Sequence, residues 1–173
     1  MLPPGHIAGG FLAGKIASQF IPGFNEPQYL GLAAFFGFFP DLDFFLAFLK
    51  LKKFISSENI NHRKFVTHAP LVYLLIFVIW YLLFPEQQLL AVAFLLGTWS
   101  HFIIDSFSAD GVQWLYPFSK KSYGFSFDRK IEVHEQNFSR HWLQFIKDYT
   151  KVLSFKVEII LILAAIITLI LNP

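Results

Sequence analysis

The segment LLAVAFLLGTWSHFIIDSF, residues Leu89–Phe107, is the most informative part of the sequence about the fold. It is apolar over nearly the ~20 residues that a helix needs to cross a bilayer. It also carries His101 and Asp105, which are four positions apart. Because residues i and i+4 share one face of a helix, these two side chains can hold one cation. We therefore predict a membrane helix that carries metal ligands.

The composition of the 173-residue chain favours a membrane protein. Apolar residues make up 55% of it and charged residues only 15%, and Phe alone occurs 23 times. So few charges would not coat the surface of a soluble domain, and disordered chains are poor in aromatic residues. The absence of cysteine excludes disulfides and thiolate metal sites. A net charge of +2 gives no sign of a nucleic-acid partner.

Further apolar segments approach membrane length and indicate a helix bundle. Besides Leu89–Phe107, they are Leu30–Leu49, Ala69–Phe84, Val152–Leu171 and the glycine-interrupted segment Ile7–Phe24. Within the last segment, Gly10 and Gly14 form a small-xxx-small pair that lets helix backbones approach closely. We predict an all-α polytopic membrane bundle of about five membrane helices, built as a single domain over residues 1–173.

The distribution of basic residues predicts the topology. All but two of the 14 basic residues fall in the connections Lys50–Lys64 and Ser108–Lys151. Five crossings place both connections on the side of the N-terminus, and the positive-inside rule makes that side cytoplasmic. We expect a multi-pass inner-membrane protein with a cytoplasmic N-terminus and a long cytoplasmic loop over residues 108–151.

Ionisable residues inside or beside the apolar segments form the candidate site, because such residues are costly in a bilayer. At ~1.5 Å per residue along each crossing, they all fall in the cytoplasmic half of the bundle. Imidazole and carboxylate ligands suit zinc, with manganese or iron(II) as alternatives. We expect one or two divalent ions. The predicted ligands are His6, Asp41, Asp43, His62, His68, His101 and Asp105.

Three residues are assigned catalytic roles in hydrolysis. A di-metal site would activate a water and hold a phosphoryl oxygen, and Asp41 or Asp43 would take the proton. Arg63 has no lone pair for a metal, but its rigid guanidinium fork fits a phosphate. Its alternative role is to contribute to the positive-inside bias. Pro40 is expected to break the helix before Asp41, which would then cap the segment that follows.

Simpler interpretations remain open for several of these residues. His101 and Asp105 would also make an ordinary hydrogen-bonded pair, and His134 and His141 are expected to be solvated surface residues. Two other functions also fit buried His and Asp residues. One is a non-catalytic scaffold or regulatory protein that a metal holds together. The other is a metal-ion transporter, which the almost entirely apolar outer halves of the predicted helices disfavour.

Several short motifs occur in a distinctive order along the chain. They are Gly5-His6, Pro40-Asp41-Leu42-Asp43, His62-Arg63 with Thr67-His68, and the run from His101 to Ser119. Over roughly residues 1–119 they resemble the YdjM-type family, described as membrane-bound, predicted metal-dependent hydrolases. That family is grouped with the zinc phospholipase C and single-strand nuclease superfamily, which is helical and binds up to three zinc ions.

The resemblance implies metal-dependent hydrolysis. The superfamily's second His-x-x-x-Asp/Glu helix is missing here, since Phe138 and Phe145 stand four residues after His134 and His141. We therefore expect no third metal. The expected substrate is a phosphoester, and a lipid headgroup is one candidate because the site lies at headgroup depth. A hydrolase of amide or ester bonds would use the same residues. Membrane lipids are the expected partners, and the sequence does not indicate an oligomeric state.

Overall fold

The computed structural model describes residues 2–42, 66–125, 131 and 138–171; at residues 66, 138, 139, 141 and 142 it describes the backbone alone. In these residues the chain is all-helical, as predicted, and the only extended pairing is a single bridge between Val112 and Tyr123. The six helices are α1 Pro3–Ala17, α2 Pro27–Phe38, α3 Pro70–Leu83, α4 Gln88–Asp105, α5 Phe138–Tyr149 and α6 Leu153–Leu171.

Prolines set several helix boundaries. Pro3, Pro27 and Pro70 each begin a helix, where the missing N–H group costs nothing. At the other end of α2, the helix gives way after Phe38 to a 3-10 turn over Phe39–Asp41. Pro40 lies in this turn and cannot continue the hydrogen-bond ladder, so the predicted break before Asp41 is confirmed. Most of the segment that Asp41 would cap lies outside the described residues.

Two of the described helical segments are long and apolar enough to cross a membrane, against about five predicted. They are Pro85–Asp105, which contains α4, and Leu153–Leu171, which is α6; the shorter Pro70–Leu83 is also apolar. Helix α1 ends at Ala17 and α2 at Phe38, both earlier than the predicted segments. With 15 and 12 residues, they fall short of the ~20 needed for a straight crossing.

Helices α1, α2 and α4 pack backbone against backbone at glycines. A Cβ atom on Gly10 of α1 would strike the carbonyl oxygen of Ala33 on α2. A Cβ on Gly97 of α4 would lie 2.8 Å from the backbone nitrogen of Gly37, and one on Gly37 would strike the carbonyl oxygen of His6. Close packing at Gly10 therefore agrees with the small-residue prediction. The contact of Gly37 with the carbonyl oxygen of His6 brings the first turn of α1 against the end of α2.

Helix α6 packs along α1 and leaves most of its apolar side chains exposed. Ile160 is 65% exposed, and Leu163 and Ile167 are more than half exposed. Exposure of this kind along an apolar helix is typical of a surface that faces lipid. Helix α3 packs against α4.

Candidate metal centre

Five of the predicted ligands meet at one end of the bundle, and each comes from the end of a helix or from a turn beside it. His6 lies in the first turn of α1, and Asp41 lies in the 3-10 turn after α2. His68 ends the 3-10 turn Val66–His68 that precedes α3. His101 and Asp105 lie one turn apart at the end of α4. Residues distant in sequence therefore share one site.

The spacing of the ligand atoms fits a shared cation better than direct hydrogen bonds. The Nε2 atom of His6 lies 3.4 Å from Asp105 Oδ1 and 3.8 Å from Asp41 Oδ2. His101 Nε2 lies 3.6 Å from Asp105 Oδ2 and 3.7 Å from Asp41 Oδ1, and His68 Nε2 lies 3.4 Å from Asp41 Oδ1. Direct N–H···O hydrogen bonds are about 2.7–3.2 Å long. Ligands at about 2.0–2.1 Å from a tetrahedral zinc lie about 3.3 Å from one another.

In each of the two carboxylates, one oxygen lies near His6 and the other lies near His101. Asp41 presents Oδ2 to His6 and Oδ1 to His101 and His68. Asp105 likewise presents Oδ1 to His6 and Oδ2 to His101. Each carboxylate therefore has one oxygen on the His6 side of the cluster and the other on the His101 side.

The ring of His101 is held by the backbone of α2. Its Nδ1 atom lies 2.8 Å from the carbonyl oxygen of Gly37, so the Nδ1–H group donates and the lone pair stays on Nε2. A carbonyl so close to a helix end has few N–H partners within its own helix. Metal-bound histidines usually make this kind of hydrogen bond with the nitrogen that does not bind the metal. The ring also stacks on His6, with centroids 3.9 Å apart.

The interior of the cluster is buried, but one edge reaches the surface of the protein. His6, His101 and Asp105 are completely buried, whereas the side chain of Asp41 is 15% exposed. Among the described residues, Nε2 of His6 and Nε2 of His101 have no hydrogen-bond partner. A buried polar atom without a partner costs about 1–3 kcal/mol. A bound cation would remove this cost, so these buried His and Asp groups can hold a metal ion.

No side chain is described for the remaining predicted site residues or for the two histidines that were expected to lie at the surface. Asp43, His62, Arg63 and His134 lie outside the described residues. The backbone of His141 is in α5, but its side chain is not described. Their predicted roles stay predictions.

Sequence reasoning missed one buried charged residue, Glu158 of α6. This residue is only 3% exposed, and one carboxylate oxygen accepts a hydrogen bond from the hydroxyl of Tyr149. The available signal was an acidic residue inside the apolar run Val152–Leu171. The predicted ligands all lie in other segments, so the prediction does not include Glu158.

Comparison with known families agrees with the resemblance seen in the motifs. A family model described as YdjM inner membrane protein matches residues 1–172, whereas the motifs alone covered roughly residues 1–119. Searches of curated proteins and of solved structures find no match. The relation to zinc phospholipase C and single-strand nucleases therefore remains an expectation. The match spans the ligand-bearing helices and the long connection after them, and so the chain belongs to the YdjM inner membrane protein family.

Proposed function

We propose that this protein is a divalent-metal-dependent hydrolase that cleaves a phosphoester at the cytoplasmic face of the inner membrane. The observation that carries the proposal is the buried cluster at the ends of α1, α2 and α4. Two buried imidazole nitrogens without hydrogen-bond partners, on His6 and His101, face two carboxylates there. Imidazole with carboxylate is the donor set of hydrolytic zinc, manganese and iron(II) sites.

The division of the carboxylate oxygens supports a site for two ions. One ion would take His6 with one oxygen from each of Asp41 and Asp105. The other would take His68 and His101 with the remaining two oxygens. Asp43 and His62 are proposed as additional ligands from the segment between α2 and α3. Such ions, when bound, supply an activated water and neutralise charge on a phosphoryl group.

Solvent access at one edge favours an enzyme over a metal that only holds the bundle together. A structural site is closed by protein ligands, whereas a hydrolytic site needs an open position. Here the open edge is at Asp41, the one partly exposed member of the cluster. Asp41 is the proposed base for the proton of the attacking water where a single ion leaves one of its oxygens free; with two ions both of its oxygens are ligands, and Asp43 is then the proposed base. Arg63 is proposed to bind the phosphate of the substrate through its guanidinium fork.

The membrane arrangement that we propose has five crossings within a single domain and a cytoplasmic N-terminus. The concentration of basic residues in Lys50–Lys64 and Ser108–Lys151 supports this orientation. Helices α1 and α2 are short, but their glycine contacts with α4 support burial inside a bundle. The cluster then lies at headgroup depth, which favours a membrane lipid as the phosphoester. A transporter is less favoured because the outer half of α3 is almost wholly apolar.

The test is a phosphoesterase assay on purified protein. The metal-stripped protein is reloaded with zinc or manganese and assayed on a phosphomonoester, a phosphodiester and a phosphorylated lipid. We expect metal-dependent cleavage of at least one of them, and loss of that activity in Asp105→Asn. Ser100→Ala, a neighbouring change on α4 outside the cluster, is the matched control and keeps the activity. A protein that binds metal but cleaves none of the three would support the scaffold function instead.

A further inference from the structure

Helix α5 exposes an apolar strip beside a strip of basic residues. Leu143 is 68% exposed and Ile146 is 51% exposed, whereas Tyr149 on the inner side is buried. Arg140 lies three residues before Leu143 and Lys147 lies four residues after it, and both are exposed. Because residues three and four apart are neighbours on a helix, the basic strip directly borders the apolar one.

The position of α5 in the chain places these strips next to the bilayer. The helix ends at Tyr149, and α6, one of the two segments of membrane length, begins at Leu153. A helix with an exposed apolar side and a basic side, next to a membrane span, lies in the plane of the interface. Lys and Arg side chains near an anionic leaflet are attracted to its headgroups.

We propose that α5 is an interfacial helix that binds anionic lipid headgroups. Leu143 and Ile146 enter the boundary between headgroups and acyl chains, while Arg140 and Lys147 contact the anionic groups. The positive charges of Arg140 and Lys147 complement anionic lipid headgroups, so anionic lipid is the proposed ligand of this surface. This inference does not depend on the hydrolase activity.

The absence of cysteine makes the test direct, because a single introduced cysteine can carry an environment-sensitive dye. The full chain carrying Leu143→Cys is labelled and reconstituted in phosphatidylcholine vesicles with or without phosphatidylglycerol. Gln144→Cys, on the polar side one residue further on, is the matched control. We expect blue-shifted emission and several-fold weaker quenching by iodide at position 143 than at position 144.

Two further results are required of the same labelled protein. Phosphatidylglycerol should increase the shielding at position 143, and the double variant Arg140→Glu/Lys147→Glu should remove that increase. Equal quenching at positions 143 and 144 would overturn the proposal. Shielding that follows protein concentration and not lipid composition would also overturn it, since a second copy of the chain would then cover this face.

A second, independent inference concerns Glu158 and the start of α1. Helix α1 begins after Leu2 without a side-chain cap, and the backbone nitrogen of Leu2 lies 3.4 Å from an Oε atom of Glu158. Tyr149 donates its hydroxyl to the same oxygen. Burial, together with the adjacent Glu158, raises the pKa of Tyr149 well above its usual range, so the phenol remains a donor. An anion at a helix N-terminus is stabilising.

Gly5 makes the approach of Glu158 to α1 sterically feasible. A Cβ atom at position 5 would lie 2.7 Å from Cγ of Glu158. The next residue along the chain is His6, whose Nε2 faces both carboxylates of the cluster. Fixing the first turn of α1 therefore fixes where this imidazole lies.

We infer that Glu158 is a positioning residue that holds the first turn of α1, and with it His6, in place for metal binding. The inference rests on the proposed metal centre. It accounts for a buried acid in an apolar helix and for the glycine that precedes His6. Changes to groups that orient metal ligands without binding the metal typically weaken metal affinity by about 10–100-fold.

The test compares metal affinity in chelator competition for wild type, Glu158→Ala, Glu158→Gln and the control Ser154→Ala, a buried residue one turn earlier. We expect affinity to fall about 10-fold or more in Glu158→Ala, less in Glu158→Gln, and to stay unchanged in Ser154→Ala. Affinity is measured on folded protein isolated by gel filtration, so a general loss of stability does not imitate the effect. Wild-type affinity in Glu158→Ala would overturn this inference, whereas a wild type that binds no metal would overturn the proposed function itself.

Discussion

His101 on α4 donates its Nδ1–H group to the carbonyl oxygen of Gly37 on α2, over 2.8 Å. The same glycine leaves room for the backbone of His6 on α1. One residue of α2 therefore orients one histidine of the cluster and sets the distance to another. The geometry of the site depends on how closely the three helices approach.

Gly37→Ala should destabilise the protein and weaken metal binding. The new methyl group meets the carbonyl oxygen of His6, so α1 must shift, and overpacking of this kind costs about 1–3 kcal/mol. Gly31→Ala on the same helix is the matched control, because a Cβ there meets nothing within 4 Å. Alanine at that position should be neutral or stabilise by up to about 1 kcal/mol. Thermal unfolding in detergent measures the stability of both variants. Equal unfolding midpoints for the two variants would contradict the packing of α1 on α2.

Metal should stabilise the folded protein through ligand linkage. A ligand at 100 times its dissociation constant adds about 2.7 kcal/mol to the free energy of unfolding when it binds only the folded state. Zinc added to stripped protein should therefore raise the unfolding midpoint. Asp105→Asn should abolish most of this rise, while Ser100→Ala should retain it. A rise of the same size in Asp105→Asn would place the binding of zinc elsewhere.

The separate parts of this site differ in how far the sequence could predict them. The i,i+4 spacing of His101 and Asp105 and the shared depth of His6, Asp41 and His68 depend on local periodicity and helix length, which a sequence displays. The Gly37 carbonyl is a backbone group, so no residue type identifies it. Its role, and the division of the carboxylate oxygens, arise from the packing of three helices at glycines.

The sequence also predicted the lengths of the helices only in part. Hydropathy predicts apolar runs, but Pro40 ends regular helix near the middle of one run, and α1 ends at Ala17 before its apolar residues do. Glu158 did carry a sequence signal, as an acid in an apolar run, although its contact with the start of α1 required the fold. Local composition thus predicted the helices better than it predicted their ends.

The orientation of the chain in the membrane can be measured with fusion reporters. A reporter inserted within Lys120–Arg140 should read cytoplasmic, and one at Glu86 should read external, because basic residues are retained on the cytoplasmic side. Both readings are taken at matched expression levels. The opposite pattern would contradict the proposed cytoplasmic position of the site.

The substitution Arg63→Lys distinguishes a phosphate-binding role of Arg63 from a contribution of this residue to the positive-inside charge bias. Lysine satisfies the positive-inside rule equally well, but it lacks the fork that binds two oxygens of a phosphate. We expect phosphoesterase activity to fall by about 10- to 100-fold, which corresponds to about 1.5–3 kcal/mol of charge-assisted hydrogen bonding. Metal content and membrane insertion should be unchanged. Full activity in Arg63→Lys would exclude the phosphate-binding role.

Whether the His/Asp cluster binds a metal is tested by the metal content of the purified protein, measured by elemental analysis after gel filtration. We predict one or two equivalents of a divalent metal, zinc foremost, in the wild type. His101→Ala should lower this content strongly, while His141→Ala, on α5, should leave it at the wild-type value. A wild type without stoichiometric metal after reloading, or an equal loss in His101→Ala and His141→Ala, would contradict a metal centre built on His6, Asp41, His68, His101 and Asp105.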